Sequence, residues 1–361
     1  MKRKTKIDWP LVATKFAAQI SHGVLHPTAM LTALAEHRRE RRRSARPPGR
    51  WAVAFSGGAD SLALLLVLWA EGPGRWGRKF VVLHFNHRLR GHAANADARF
   101  CARVCAALGV TLVTGRWRDA RKGASEAEAR VARMEFFSRE MSRRKLRLLW
   151  LGQQQDDIAE TFFMRLARGS GTAGLAAPRP AQRMPGGRWH LRPLLTLKKA
   201  EIVAALRQAG APWREDASNA GRDYFRNRVR RDVLPAWQKA AERDALGGAA
   251  RSRELLEEDD IALEAWLAEL RPLAANGSLD LRRLAGKPRG LVRRAVYAWL
   301  LAQPGEIRIS RQAFDRLLES VTRGRVTRQS MGPERFAVIG KDWLKLAAAR
   351  KKSRGFHRRA N

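Results

Sequence analysis

The sequence predicts an α/β fold: a parallel sheet with helices on both faces, then a mostly helical C-terminal region ending in a small β-hairpin. Three observations carry this. Between residues 50 and 150, short apolar runs alternate with longer segments of helical periodicity, the pattern of βαβ units. The first run, 51–55, leads into Ser56-Gly57-Gly58-Ala59-Asp60-Ser61, and a second apolar run resumes at Leu62, which reads as strand, tight turn, helix. Beyond about residue 240, apolar residues recur at helical spacing instead.

In chain order, residues 1–48 read as a basic N-terminal extension and linker. A short helix over 20–34 is broken up by Pro10 and Pro27, and the run Arg38-Arg39-Glu40-Arg41-Arg42-Arg43 leads into Pro47-Pro48-Gly49. Residues 49–238 form the α/β domain, with strands at 51–55, 80–85, 110–114 and 146–151 and helices at 62–71, 94–108 and 125–144. Ser125 with Glu128 gives a capping box for the last of these. A further helix begins near Asp157, a Pro/Gly loop spans 174–187, and another helix covers 198–208. Residues 239–349 are mainly helical. There, Val292, Ala295, Val296 and Trp299 make a core stripe, Ser310 caps a helix through Glu319, and 325–331 with 335–339 form the hairpin. Residues 350–361 are a basic tail.

The charge balance names a class of partner. There are 71 Lys and Arg against 34 Asp and Glu, a formal +37. Most of the excess is Arg, whose planar fork suits phosphate, so a polyanion is expected and nucleic acid comes first. Cys101 and Cys105 lie four apart on a helix, in no C-x-x-C or zinc pattern, and read as buried thiols of a reducing compartment. Asp8, Pro10 and Lys15 interrupt any signal-peptide core. The longest apolar run, 62–70, falls short of the roughly 20 residues that span a bilayer. A cytoplasmic protein with no membrane partner is the expectation.

The candidate site gathers at strand ends, where ligands bind in such sheets. Gly57 and Gly58 let an anion approach bare backbone at a helix N-terminus. Ser56 and Ser61 add hydroxyls, Ala59 lies between, and the Asp60 carboxylate suits a metal bridging phosphates. No Lys follows the turn, so it is neither G-x-x-x-x-G-K-[ST] nor G-x-G-x-x-G. After the second strand comes His84-Phe85-Asn86-His87-Arg88-Leu89-Arg90, and His84 is grouped with the nucleotide-binding residues. Arg130 and Arg133 share a helix face at i,i+3, either as a surface ion-pair set or as substrate contacts. Asp157 and Glu160 share a face in the first turn of the next helix, either as dipole complements or as holders of an ammonium group.

The pattern S-G-G-x-D-S resembles the pyrophosphate (PP) loop of the N-type ATP pyrophosphatases. Six motifs occur in order: S-G-G-x-D-S; H-x-N-H-x-L-R; E-A-x-A-R-x-x-R; D-D-x-x-E-T-x-x-M-R-L-x-R-G-S-G; R-P-L-L; and D-x-S-N followed by R-N-x-V-R. Together they resemble the tRNA(Ile)-lysidine synthases over residues 50–235. The resemblance implies a Rossmann-like domain and a reaction: ATP, with Mg²⁺ near Asp60, adenylates the wobble cytidine of tRNA(Ile) with anticodon CAU. Free L-lysine then attacks, giving lysidine, AMP and pyrophosphate. It further implies that Asp157 and Glu160 bind lysine and that Asp60 and Arg226 are catalytic, Arg226 by supporting transition-state charge; Arg130 and Arg133 are grouped with the substrate-binding candidates. C-terminal RNA-binding domains belong to the same expectation, and a homodimer is left open.

Two positions depart from the family pattern. Gln153-Gln154-Gln155-Asp156-Asp157 stands where H-H-x-D-D is usual, and Met134 where Tyr is usual. Gln hydrogen-bonds but does not titrate. The alternatives are a thiolase-type PP-loop enzyme acting on tRNA, which would want a reactive cysteine pair, and a non-catalytic tRNA-binding homologue.

Overall fold

The computed structural model describes residues 7–20, 34–35, 51–75, 80–88, 92–121, 123–184, 186–215, 224–305, 307 and 309–348. The basic run at 38–43, the Pro47-Pro48-Gly49 linker, Leu89 and Arg90, Asp216 to Asn219 and the basic tail lie outside the described residues. The chain divides into two compact units, Met1–Glu257 and Glu258–Asn361.

In the first unit the elements are α1 (Trp9–Gln19), β1 (Trp51–Ala54), α2 (Ala59–Arg75), β2 (Phe80–Asn86), α3 (His92–Ala107), β3 (Thr111–Arg116) and α4 (Glu126–Arg143). They continue with β4 (Leu148–Trp150), α5 (Gln155–Leu166), β5 (Ala181–Met184), β6 (Arg188–Leu191) and α6 (Lys199–Gln208). Next come α7 (Phe225–Arg228), a π-helical turn Val229–Val233 and α8 (Leu234–Ala241), while α9 (Ala245–Leu270) begins in the first unit and runs into the second. One six-stranded sheet runs β3-β2-β1-β4-β6-β5. Every pairing in it is parallel except β5 with β6.

Period-two alternation places the helices on both faces. Trp51, Val53 and Phe55 join a core with α1, α2, α3 and α6, whereas Ala52 joins Val81, Leu83 and Leu149 under Phe136, Phe137 and Met141 of α4. Strands covered on both faces read as continuous apolar runs, which is why β1 and β2 are plain in the sequence. Every residue from Leu62 to Leu68 is at most 2% exposed, the mark of a helix enclosed on all sides.

Part of that enclosure comes from the segment read as an extension. Trp9, Val12, Ala13 and Phe16 lie one helical face apart, are buried, and pack α1 against α2. Pro10 does not break α1, because it sits in the first turn, where a backbone N–H has no intrahelical partner. Asp8 caps the helix, its carboxylate accepting from Leu11 N at 3.1 Å. The Pro/Gly loop expected at 174–187 also carries structure. Its second half is β5, paired antiparallel with β6 across Gly186 and Gly187, whose φ angles are +75° and +70°.

From β1 the chain moves outward through β2 to β3, then returns to the other side of β1 at β4. The reversal makes a topological switch point between β1 and β4, with a crevice beyond their carboxyl ends.

The second unit has its own core. Leu291, Val292, Ala295, Val296 and Trp299 of α10 (Arg289–Ala302) pack with Leu317 and Leu318 of α11 (Arg311–Thr322). As expected, Ser310 caps α11, accepting from Ala313 N at 3.2 Å. The expected hairpin is present as β8 (Thr327–Ser330) and β9 (Arg335–Ile339), but it belongs to a four-stranded antiparallel sheet, β7-β10-β9-β8. The added strands are β7 (Leu279–Asp280) and β10 (Trp343–Ala348). No helix among the described residues is long and apolar enough to cross a membrane.

Candidate active site

The glycine turn joins β1 to α2 as the sequence indicates. Gly57 has φ +93°, and a Cβ there would lie 3.3 Å from both Cys101 Sγ and Phe100 Cδ1, so only glycine fits. A Cβ built on Gly58 would make only ordinary contacts, with Ser56 Oγ at 3.5 Å and Arg214 O at 3.8 Å. Leu62 N donates to Gly58 O at 2.9 Å and starts the helix. The first N–H groups of α2 are therefore left pointing out of its N-terminus, the geometry of an anion cradle. The serines brace the turn: Ser61 Oγ donates to Gly58 O at 3.0 Å, Ser56 N donates to Ser61 Oγ at 3.2 Å, and Gly58 N donates to Ser56 Oγ at 3.3 Å.

Asp60 stands in the first turn of α2, and its Oδ1 accepts from Lys199 Nζ at 2.6 Å. Burial pushes its carboxyl up and Lys199 opposes the shift. The other oxygen has no partner among the described residues, and no cluster of three His, Cys, Asp or Glu capable of holding a metal occurs among them. A single carboxylate beside a phosphate cradle fits Mg²⁺, which is commonly held by one or two carboxylates together with phosphates and water. His84 is buried, with Nδ1 2.9 Å from Phe55 O, and burial lowers its pKa. A neutral ring donating through Nδ1 leaves Nε2 as an acceptor, and Nε2 is buried with no partner.

Across the switch point, Gly152 lies just beyond the end of β4, and a Cβ there would lie 2.8 Å from Asp60 O and 3.0 Å from Ser61 Cα. The segment leaving β4 thus touches the first turn of α2 backbone to backbone. The chain then enters α5, where Gln154 acts as N-cap, its Oε1 accepting from Asp156 N at 2.6 Å while Asp157 Oδ2 accepts from Gln154 N at 3.0 Å. Asp157 and Glu160, 8% and 0% exposed, share a face as expected. Both are engaged by arginines from α7 and the π-helical turn. Arg226 donates to Asp157 Oδ1 and, through Nε at 2.6 Å, to Glu160 Oε2. Arg230 donates to Glu160 through Nε at 2.5 Å and through its terminal nitrogen at 3.0 Å. Burial disfavours the charged Arg226 guanidinium, but Asp157 and Glu160 outweigh it and hold it protonated.

Arg130 and Arg133 lie on α4 and make no ion pair among the described residues. Burial pushes Arg133 down to about 10, assisted by Arg130 and Arg226. The residues that depart from the family pattern have structural tasks. Gln153 Oε1 accepts from Arg192 Nε, and the same buried guanidinium donates to Arg179 O at 2.9 Å and Gln182 Oε1 at 3.1 Å. All three acceptors are neutral. Burial lowers Arg192 to about 10, with Arg130 and Arg165 adding repulsion. A protonated imidazole at position 153 would face that guanidinium; an amide oxygen satisfies it. Cys101 and Cys105 are buried, and burial pushes Cys105 up to about 12.

The switch point thus brings Asp60 and the glycine turn together with Asp157, Glu160 and Arg226. Lys199, Arg230, Gly152 and Asp156 also belong here; Asp156 and Arg230 fall within motifs legible in the sequence, but the sequence assigned none of the four a role at the site. The only signal for Lys199 was its position just after R-P-L-L, within a segment readable as an ordinary helix start.

Residues 30–237 match the PP-loop domain family. The chain is 43% identical over 193 residues to the tRNA(Ile)-lysidine synthase of Solibacter usitatus, covering 54% of this chain and 41% of that protein. It is 31% identical over 305 residues to that of Rhodopirellula baltica, covering 77% and 76%. The chain spans about half the length of the first curated relatives it matches, 41% and 45% for two of them. Among solved structures, the U34-tRNA thiolase NcsA of Methanococcus maripaludis aligns with a TM-score of 0.48 at 18% identity, covering 63% of this chain and 80% of that one.

Proposed function

The chain belongs to the tRNA(Ile)-lysidine synthase family of PP-loop proteins, and on that premise we propose that it ligates free L-lysine to the wobble cytidine of tRNA(Ile) bearing anticodon CAU. The observation that carries this reading is the abutment of the glycine turn and the α5 carboxylates across the switch point, with Gly152 pressed against the Asp60 backbone. One wall suits a nucleotide triphosphate; the other suits an amine.

In this reading the cytidine O2 attacks the α-phosphorus of ATP, and pyrophosphate leaves from the cradle formed by Gly57, Gly58 and the N-terminus of α2. Asp60 would hold Mg²⁺, which neutralises phosphate charge. The amine of lysine then attacks C2, the C2–O bond breaks, AMP departs, and the amine loses a proton. Free lysine has a side-chain pKa of about 10.4, so the site has to hold one end of the molecule as a cation while presenting the other neutral. Asp157 and Glu160 suit the cationic end. Each carboxylate offers about four acceptor positions, and the contacts from Arg226, Arg230 and Gln154 leave capacity for an ammonium. Arg226, fixed between them, supports charge as AMP leaves. Arg130 and Arg133, lacking carboxylate partners among the described residues, suit the RNA. A cytoplasmic setting follows from the same reading.

The thiolase alternative draws no support from the cysteines. Both are buried on α3, and burial holds both thiols protonated, whereas the thiolate is the reactive form. Lysine-dependent AMP release in the presence of tRNA(Ile) tests the proposal; equal release with a sulfur donor and none with lysine would overturn it.

A further inference from the structure

The glycine turn has no lysine of its own, since Ala59, Asp60 and Ser61 follow Gly58. The fold brings one from 139 positions away: Lys199 Nζ lies 2.6 Å from Asp60 Oδ1. Two backbone contacts fix where that lysine starts. Lys199 N, at the first residue of α6, donates to Asp156 Oδ2 at 2.9 Å, and Gln155 N donates to Leu197 O at 2.8 Å. The N-termini of α5 and α6 are thereby joined, and the lysine stem extends from the carboxylate side of the crevice toward the phosphate side.

The pair itself contributes little to the fold. Lys199 and Asp60 side chains are 40% and 28% exposed, and ion pairs that open to solvent contribute about 0–1 kcal/mol. An ammonium held at a helix N-terminus, beside two glycines and a carboxylate suited to a metal, is instead what phosphate recognition uses; the P-loop lysine acts as such a point charge.

We infer that Lys199 is a phosphate-contacting residue of the nucleotide site, its Nζ passing from Asp60 to the β- and γ-phosphate oxygens when nucleoside triphosphate binds, with Asp156 as the positioning residue that holds its backbone. This rests on the nucleotide reading above. It also gives the two neighbouring aspartates separate tasks: Asp156 anchors the lysine of the phosphate side, and Asp157 engages Arg226 on the amine side.

The test is equilibrium binding of ATP and of AMP, in Mg²⁺ buffer without lysine or tRNA, to full-length wild type, Lys199→Ala, Lys199→Arg and Asp156→Asn. Loss of one charge-assisted phosphate contact lowers ATP affinity about 10- to 100-fold. AMP, which lacks the β- and γ-phosphates, is expected to lose less than about threefold. Lys199→Arg recovers part of the ATP affinity, and Asp156→Asn shows a smaller loss of the same selectivity. Lys199→Ala binding ATP like wild type, or losing ATP and AMP equally, overturns the inference. Should Lys199→Ala melt early, the arginine variant decides by its ATP-to-AMP ratio. The outcome is separable from the proposed activity. Selective ATP loss in a protein that makes no lysidine would sink only the activity, and unchanged ATP binding in one that does would sink only the role of Lys199.

Discussion

Arg226 Nε lies 2.6 Å from Oε2 of Glu160, a carboxylate with no solvent exposure, although 66 positions separate the two residues. The same guanidinium reaches Asp157, so one arginine bridges both acids on the inner face of α5. Breaking a buried pair leaves a charge unpaired, at about 3–5 kcal/mol. Arg226→Ala is therefore expected to lower urea-unfolding stability by an amount of that order, Arg230 offsetting part of it, and to abolish lysine-dependent AMP release. An unchanged unfolding midpoint would contradict the bridging role.

The two glycine positions that shape the nucleotide side separate steric from anion effects. Gly152→Ala puts a methyl 2.8 Å from Asp60 O, so it is expected to destabilise the fold and displace the turn, weakening ATP binding at least about tenfold. At Gly58 a methyl meets nothing closer than 3.5 Å. Gly58→Ala should melt like wild type yet bind ATP more weakly, because the methyl lies where an anion approaches backbone. Wild-type ATP affinity in Gly58→Ala would move the phosphates elsewhere.

The fold was legible where its signals are local. β1, β2 and α2 are continuous apolar runs because both sides of each are covered, and Ser125 with Glu128 announces α4 within four residues. The sequence was silent where partners are distant. Nothing near Lys199 points to Asp60, and nothing near Arg230 points to Glu160. α1 was obscured because Pro10 reads as a breaker unless its place in the first turn is known. β10 went unread because its stabilisation comes from pairing with β7 and β9 rather than from its own pattern. The site residues themselves were legible as chemistry; their pairing was not.

The glutamines in the usual His positions have testable structural tasks. Gln153→Leu removes the acceptor of the buried Arg192 Nε–H and should destabilise by about 1–3 kcal/mol. Gln154→Ala removes the N-cap of α5 and should destabilise by about 1 kcal/mol. Chemical denaturation of both variants checks the pair; no loss in Gln153→Leu would mean that Arg192 is satisfied otherwise.

His190, buried on β6, gives a pH signature. Burial first, then Arg192, Arg130 and Arg188, push its pKa down to about 4 from an ordinary 6.5. Between those values the folded protein binds fewer protons than the unfolded chain, so the stabilisation is complete above pH 6.5 and is lost as pH falls toward 4. The span corresponds to about 3 kcal/mol at most, with His84, also lowered by burial, adding in the same sense. Unfolding free energy measured across this window should fall with pH, and His190→Gln should flatten the slope. An equal slope in the variant would assign the dependence to other groups.

The most direct test of the central claim is nucleoside analysis of tRNA(Ile) with anticodon CAU after incubation with the protein, ATP, Mg²⁺ and L-lysine. Lysidine should appear at the wobble position with stoichiometric AMP, and should vanish when lysine is omitted or with Asp60→Asn. AMP release without a lysine-containing nucleoside, or a sulfur-containing nucleoside in its place, would contradict it.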